Sequence, residues 1–336
     1  MFSQYKNKIL DQKQVIFILF SLAVLAVIIV HSGISNLISG IKQIDYTLIL
    51  PMYLILFSSF VVKVLRWGVI LQGIGLDFKF RKLLKIFLGI FFVNQFSPQI
   101  GSELYRAYAL HKDNKQSFGT NSASVFYDRL LDSISLLVIV IPLLVYSLGG
   151  FVFNKYSIVL ISLSILFLMM ILITLKPDLG LKLAYFFTKC VNYLPDKISS
   201  KINKKIDKNL EPFFNATNVL KESRKTLSLG IILSFLAWGM SYIQTYVIFM
   251  SINVSLDPLV VAIIYFIPLA ISSFIFIMPK GPASDLTIYG VCLLYGLSPE
   301  ISGLYVIIRK LIAVSFSITV GWFCFTHVGV KTGVNE

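Results

Sequence analysis

The chain has 336 residues, of which 57% are hydrophobic and only 14% charged, with a mean hydropathy of +0.82. A soluble domain carries about a quarter charged residues, so composition excludes that class, and apolar runs that are continuous instead of alternating exclude a transmembrane barrel. The net charge of +14 does not point to nucleic acid, because the basic residues gather in loops beside apolar runs, as topology and anionic headgroups require.

Residues 1–14 are polar and net basic, and 15–30 form an unbroken apolar run. No small-x-small cleavage site follows it, so it reads as an uncleaved first span with its N-terminus in the cytoplasm. A polar stretch with Asn36, Lys42 and Asp45 comes next. The apolar segment 46–75 carries Lys63 and Arg66 in its last third. Such residues either snorkel to an interface or point inward, and Arg66 is the stronger candidate for pointing inward. Residues 76–85 supply Lys79, Arg81, Lys82 and Lys85, a basic loop expected on the cytoplasmic side.

Charge decides how 83–110 is arranged. As a full span it would place segment 176–226, with eleven Lys or Arg against five acids, on the outer side. A re-entrant hairpin that breaks near Ser97-Pro98 keeps both basic segments cytoplasmic, and is the expected form. Spans follow at 124–148 and 156–175, joined by an outer loop around Gly149-Gly150. Within 176–226, Ile198, Ile202, Ile206 and Leu210 recur every four residues between lysines, the pattern of an amphipathic helix on the inner surface. A span at 227–250, a second hairpin at 259–297 entering from outside, and a last span at 304–325 complete the chain, with the C-terminus cytoplasmic.

The two hairpins resemble each other. Pro279, Gly281, Ser284, Asp285 and Leu286 answer to Pro98, Gly101, Ser102, Glu103 and Leu104, and Leu256-Asp257 to Leu76-Asp77, all at offsets of 180 to 182. Arg309 follows Asp285 by 24 positions as Arg129 follows Glu103 by 26. Such matches in order indicate an internal duplication, and an odd number of crossings between the two starts makes the repeats inverted. The expected fold is therefore an all-α polytopic integral membrane protein. It forms a single membrane domain over 1–336, with inverted repeats, about six full spans and two re-entrant helical hairpins. Repeat A covers 46–148, a cytoplasmic amphipathic linker 176–226, and repeat B 227–326.

Paired interrupted segments are the sequence mark of a transporter's binding site. Charges at membrane depth are costly and look into a protected or wet cavity. The candidate substrate-binding residues are Arg66, Asn94, Glu103, Arg106, Asp128, Arg129, Asp132, Lys280, Asp285, Arg309 and Lys310. Pro98, Gly101, Pro279 and Gly281 mark the re-entrant turns. Glu103 and Arg106, and Arg129 and Asp132, stand three apart and share a helical face. Arg129 is placed to bridge Glu103 and Asp132 in an empty site and to turn to a phosphate on substrate arrival. Helix N-termini after Pro98 and Pro279 add backbone donors for an anion. The weaker reading of the same charges is helix association alone.

Cys190, Cys292 and Cys324 make no CxxC pair. The chain holds no GxxxxGKS/T, HExxH or GxSxG motif, so no cofactor, metal or catalytic residue is expected.

These residues carry a resemblance. NQFSPQIGSELYRAYAL at 94–110, YDRLLD at 127–132, and MPKGPASDL at 278–286 with Arg309 downstream resemble the lysylphosphatidylglycerol synthase transmembrane region, or flippase-like membrane family. The similarity runs roughly from the first span to the last. Asp128 and Asp285 stand where that family carries Glu, with the charge kept. The resemblance implies a cytoplasmic-membrane domain that flips an anionic, aminoacylated or polyprenyl-linked lipid through a midplane cavity. Bifunctional members add a soluble aminoacyl-transferase domain. This chain ends at Glu336 without one, so synthase activity is not expected. A membrane-embedded transferase or accessory subunit in lipid-linked glycan synthesis is the alternative. The expected partners are membrane phospholipid or a lipid-linked sugar, with an envelope glycosyltransferase as a further candidate.

Overall fold

The computed structural model describes residues 19–94, 99–114, 116–150, 196–273 and 280–327, whose regular secondary structure is all helical. Helix α1 (Leu19–Ser32) and helix α2 (Ile34–Lys42) meet at 86° as a broken span or re-entrant loop. Gly33, at φ 80°, makes the turn, a left-handed conformation that costs any residue with a Cβ. The polar stretch with Asn36 and Lys42 is helical, a form its sequence does not signal. A helix forms there because Leu37 and Gly40 are buried. Gly40 lies so close under Leu304 that a Cβ would come 2.4 Å from its Cδ1. Beyond α2, Asp45 accepts the Thr47 hydroxyl at 2.6 Å and its amide at 3.0 Å. These bonds hold the Asp45 carboxyl below the usual carboxylate range.

Among the described residues, four helical stretches are long and apolar enough to cross a membrane: Tyr46–Gly73, Phe118–Ser147, Arg224–Ser251 and Pro299–His327. With the bent α1–α2 pair they make up to five. Stretches of 28 to 30 residues are about 42–45 Å long. They exceed a hydrocarbon core of about 30 Å, so they extend past it or tilt. Each leaves an apolar face uncovered, such as Leu50, Leu54, Phe57 and Leu65 on α3 (Ile49–Gly73). In water that face would be a liability, and in lipid it is the solvent-matched surface. The protein is a membrane-embedded, multi-pass helical protein. The span expected at 156–175 lies outside the described residues.

Helix boundaries differ from the sequence reading for local reasons. Helix α6 (Phe118–Gly150) begins six residues before the expected Ser124, because the Ser117 hydroxyl accepts the Thr120 amide at 2.9 Å as an N-cap. It also continues through Gly149 and Gly150, where an outer loop was expected. The last span starts at Pro299, ahead of 304, with the Ser298 hydroxyl accepting the Ile301 amide at 3.3 Å.

Helices α4 (Phe80–Val93), α5 (Gln99–Asn114), α9 (Pro258–Ser273) and α10 (Lys280–Leu294) fall in the two segments expected as hairpins. At 14 to 16 residues they are about 21–24 Å long, too short to cross alone. Pro98 and Pro279, expected to break them, lie outside the described residues. Helices α9 and α10 pack along each other.

The chain divides into two compact units. The first comprises Met1–Val64, Phe80–Arg106 and Phe235–Glu336. In its core Phe60 stacks on Phe316 with ring centroids 5.7 Å apart, and Phe249 on Tyr305 at 4.5 Å. Here α11 (Pro299–Phe316) widens into a π turn (Ser317–Gly321) before α12 (Trp322–His327). The turn packs against α4, and a Cβ on Gly321 would meet the Leu88 carbonyl oxygen at 3.1 Å.

The second unit comprises Leu65–Lys79 and Ala107–Ser234. The amphipathic helix expected in 176–226 is present as α7 (Asp196–Glu222) and packs on α6. A Cβ on Gly119 would lie 2.1 Å from the Asn209 carbonyl oxygen. Helix α8 (Arg224–Ser251) closes on α6 where Gly230 faces Leu131.

Candidate functional site

In the second unit, Arg66 is 1% exposed and pairs with two carboxylates. Its Nε donates to Asp128 Oδ1 at 2.7 Å, and its Nη1 to Asp132 Oδ1 at 2.6 Å and the Ser234 hydroxyl at 2.8 Å. Asp128 and Asp132 stand one helical turn apart on α6 and so present both carboxylates to one guanidinium. Taking these charges out of water costs several kcal/mol per ion, of order 3–5, unless they are paired. Short bonds between all three supply the pairing.

Arg129, on the same helix, is different. It is 32% exposed and reaches Asp132 Oδ2 at 3.5 Å. Asp132 thus lies between a buried arginine on one oxygen and a half-open arginine on the other.

The first unit holds two further groups. On α5, Glu103 and Arg106 pair across one turn at 3.5 Å, and the Arg106 guanidinium lies 4.7 Å from the Phe87 ring centroid on α4, a cation–π contact. Between α10 and α11, Asp285 accepts from Lys310 at 2.6 Å and from Arg309 at 3.3 Å. Arg309 also donates to the Ser284 hydroxyl at 3.3 Å. Asp285 is 4% exposed, Lys310 20% and Arg309 31%. Two cations on one carboxylate give this group a surplus of one positive charge, and its outermost cation has only long contacts.

The sequence-selected residues therefore fall into three clusters: Arg66, Asp128, Arg129 and Asp132; Glu103 and Arg106; Asp285, Arg309 and Lys310. Asn94 stands apart at the end of α4, where its amide donates to the Ile90 carbonyl at 2.8 Å. Gly101 lies in the first turn of α5 and Gly281 in the first turn of α10. Lys280 opens α10, with its side chain outside the described residues. Sequence reasoning missed the Arg66 partners, the Ser234 hydroxyl and the Phe87 ring. It also missed the setting of Lys63, whose Nζ lies 5.6 Å from the Phe60 ring centroid and 5.8 Å from that of Trp238. Apart from Phe60, three residues from Lys63, these partners lie too far apart in the chain to leave a local pattern.

With three carboxylate–cation clusters on helices of this length, the family comparison is decisive. The model of the lysylphosphatidylglycerol synthase transmembrane region matches residues 14–321. The chain belongs to that family. It is 22% identical over 315 residues to a UPF0104 membrane protein of Methanothermobacter thermautotrophicus, covering 90% of this chain and 92% of the relative. A UPF0104 membrane protein of Pyrococcus horikoshii is 24% identical over 282 residues, with 80% and 83% covered. One of Methanocaldococcus jannaschii is 25% identical over 285 residues, with 82% of each covered. No solved structure matches the chain. Family membership covers all three clusters.

Proposed function

We propose that the protein is a lipid translocase that moves an anionic, aminoacylated or polyprenyl-linked lipid across the cytoplasmic membrane. Its half-open arginines receive the headgroup phosphate while the acyl chains stay in lipid. The observation that carries this reading is a contrast between arginines. Arg66 is buried, with bonds of 2.6–2.8 Å. Arg129 and Arg309 are 32% and 31% exposed, and Arg309 is held at 3.3 Å. Residues needed only for helix association gain most from short, closed bonds. An arginine kept near a carboxylate, but at long range and open to a third of its surface, is suited to exchange partners. A phosphodiester offers it a bidentate acceptor.

In this reading Asp128, Asp132, Glu103 and Asp285 hold the cations ready, and Arg66 is the buried counter-ion of Asp128 and Asp132. Lys310 neutralises Asp285, which leaves the Arg309 charge for the lipid, and Lys280 adds a second cation from the first turn of α10. Helices α4–α5 and α9–α10 act as re-entrant pairs of inverted repeats, supported by their lengths of 14 to 16 residues. The test is headgroup movement in vesicles containing the purified chain. The reading requires the Arg129→Ala/Arg309→Ala double variant to fall at least about tenfold below wild type, the loss expected from one charge-assisted hydrogen bond. Wild-type rates in that variant refute it.

A further inference from the structure

We infer that α2 lies flat in the headgroup–acyl boundary of one leaflet, with Ile34, Ile38 and Ile41 among the acyl chains, and that it sets the depth of the Asp285 cluster beneath that boundary. The partner of this surface is the bilayer itself, and the inference is independent of the translocase reading.

Helix α2 has three faces. At about 100° per residue, Ile34, Ile38 and Ile41 form one stripe, and all three are exposed. To one side of the stripe Leu37 and Gly40 are buried, with Gly40 under Leu304 of α11. To the other side Ser35, Asn36, Ser39, Lys42 and Gln43 are exposed. Within the hydrocarbon that polar face would be costly, and in water the isoleucine stripe would be. An apolar stripe below, polar residues above and protein at the flank is the arrangement of a helix in the membrane plane.

Its level is fixed by the ends of the spans around it. Helix α1 exposes Leu22, Val27 and Val30 as a crossing helix does, and α2 turns from it by 86°, nearly parallel to the membrane surface. At the other end, the Asp45 amide donates to the carbonyl of Ser251, the last residue of the span Arg224–Ser251, at 2.8 Å. Asn253 Nδ2 donates to the Gln43 carbonyl at 3.2 Å. The next span opens at Tyr46, whose hydroxyl donates to the Ile41 carbonyl at 2.9 Å. An exposed tyrosine there is at home among headgroups. From Tyr46 the exposed apolar surface continues into Leu50 and Leu54 of α3, so the isoleucine stripe extends a surface that already faces lipid.

The same corner grips both helices of the Asp285 cluster. His31 Nδ1 and the Tyr289 hydroxyl of α10 are hydrogen-bonded at 2.7 Å, with the Ser32 hydroxyl 3.3 Å from the same oxygen. On α11, a Cβ on Gly303 would fall 2.2 Å from Ser32 Oγ. Asp285 stands one helical turn before Tyr289, and Arg309 five residues after Leu304, about 6 and 7.5 Å along their helices. With α2 at the boundary, the cluster lies within about 10 Å of it, nearer that surface than the midplane about 15 Å down.

The experiment measures depth. The full chain carries Cys190→Ala and keeps the buried Cys292 and Cys324, whose background signal is subtracted. Single cysteines are placed at the exposed positions as Ile34→Cys, Ile38→Cys, Ser39→Cys, Ile41→Cys and Leu311→Cys. Each is labelled with a nitroxide in vesicles of phosphatidylcholine and phosphatidylglycerol. Collision with dissolved oxygen and with a water-soluble nickel chelate gives the depth of each label. The three isoleucine positions are expected to favour oxygen at one common depth, and Ser39→Cys to favour nickel. Leu311→Cys is expected about 10 Å deeper than Ile38→Cys, the rise of seven residues from Leu304. A spread of about 10 Å between positions 34 and 41 overturns the inference, because α2 then descends through the membrane. Nickel access at all three isoleucine positions overturns it by placing the helix in water. Immobile labels closed to both reagents overturn it by showing that a second copy or another protein covers the stripe. Leu311→Cys no deeper than Ile38→Cys overturns the depth assigned to the cluster. None of these readings depends on lipid movement, so failure here leaves the translocase reading standing.

Discussion

Replacing Arg66 by Met separates a structural arginine from a binding one. The substitution keeps the aliphatic bulk and removes the guanidinium that donates to Asp128 at 2.7 Å, Asp132 at 2.6 Å and Ser234 at 2.8 Å. Asp132 retains Arg129 within 3.5 Å, but the wholly buried Asp128 loses its short charged partner. An ordinary hydrogen bond between membrane helices averages about 0.6 kcal/mol, because the unfolded chain in the membrane finds other partners. A buried carboxylate deprived of its cation costs about 3–5 kcal/mol, so the second effect dominates here. Arg66→Met is therefore expected to lower stability by about 3–5 kcal/mol, measured by titrating mixed micelles with dodecyl sulfate and following helix content. Adding Asp128→Asn removes the stranded charge and should recover at least half of the loss. A single-variant loss below about 1 kcal/mol, the range of exposed pairs, would show that the cluster is not closed and refute the reasoning.

Other expectations concern packing, the surface and the remaining arginine. Gly119→Ala drives a Cβ to 2.1 Å from the Asn209 carbonyl oxygen, whereas Gly230→Ala meets only the Leu131 Cδ1 at 2.4 Å. A backbone atom cannot rotate aside and a leucine methyl can. In the same micelle titration Gly119→Ala should lose about 1–3 kcal/mol and Gly230→Ala clearly less. Arg309→Met is expected to cost at most about 1 kcal/mol in that assay, as for a partly exposed pair, yet to slow headgroup movement strongly. Thr47→Val removes the shorter of the two bonds to Asp45. Its carboxyl should return toward the ordinary range in a titration followed by magnetic resonance. Because the folded-state value is depressed, the bond's contribution is present above the unfolded carboxylate pKa and lost as pH falls through the folded value.

Much of this architecture was legible in the sequence where the signal is local. The long spans are apolar runs, and the structure places Tyr46–Gly73, Phe118–Ser147, Arg224–Ser251 and Pro299–His327 over or around the expected segments. Glu103–Arg106 and Arg129–Asp132 were visible because three residues on a helix are neighbours. Arg66 with Asp128 was not, since 62 residues separate them and no periodicity links α3 to α6. Ser234 is 168 positions from Arg66 and is further from any sequence signal. Helix α2 was missed because isoleucines and polar residues mix on its exposed face, which masks the two buried positions, Leu37 and Gly40, on which it rests. The π turn at Ser317–Gly321 follows from close contact with α4, a tertiary cause that leaves no mark in its own five residues.

The central claim is that lipid phosphate is held by the half-open arginines and not by the buried one. It is tested most directly by measuring phosphorus-to-nitrogen dipolar couplings between phosphatidylglycerol and arginine side chains labelled with nitrogen-15, in membranes containing the full chain. The account predicts couplings at Arg309 and Arg129, at hydrogen-bonded separation, that vanish in the matching alanine variants, and none at Arg66. Coupling to Arg66, or to none of the three while lipid movement persists, would contradict it.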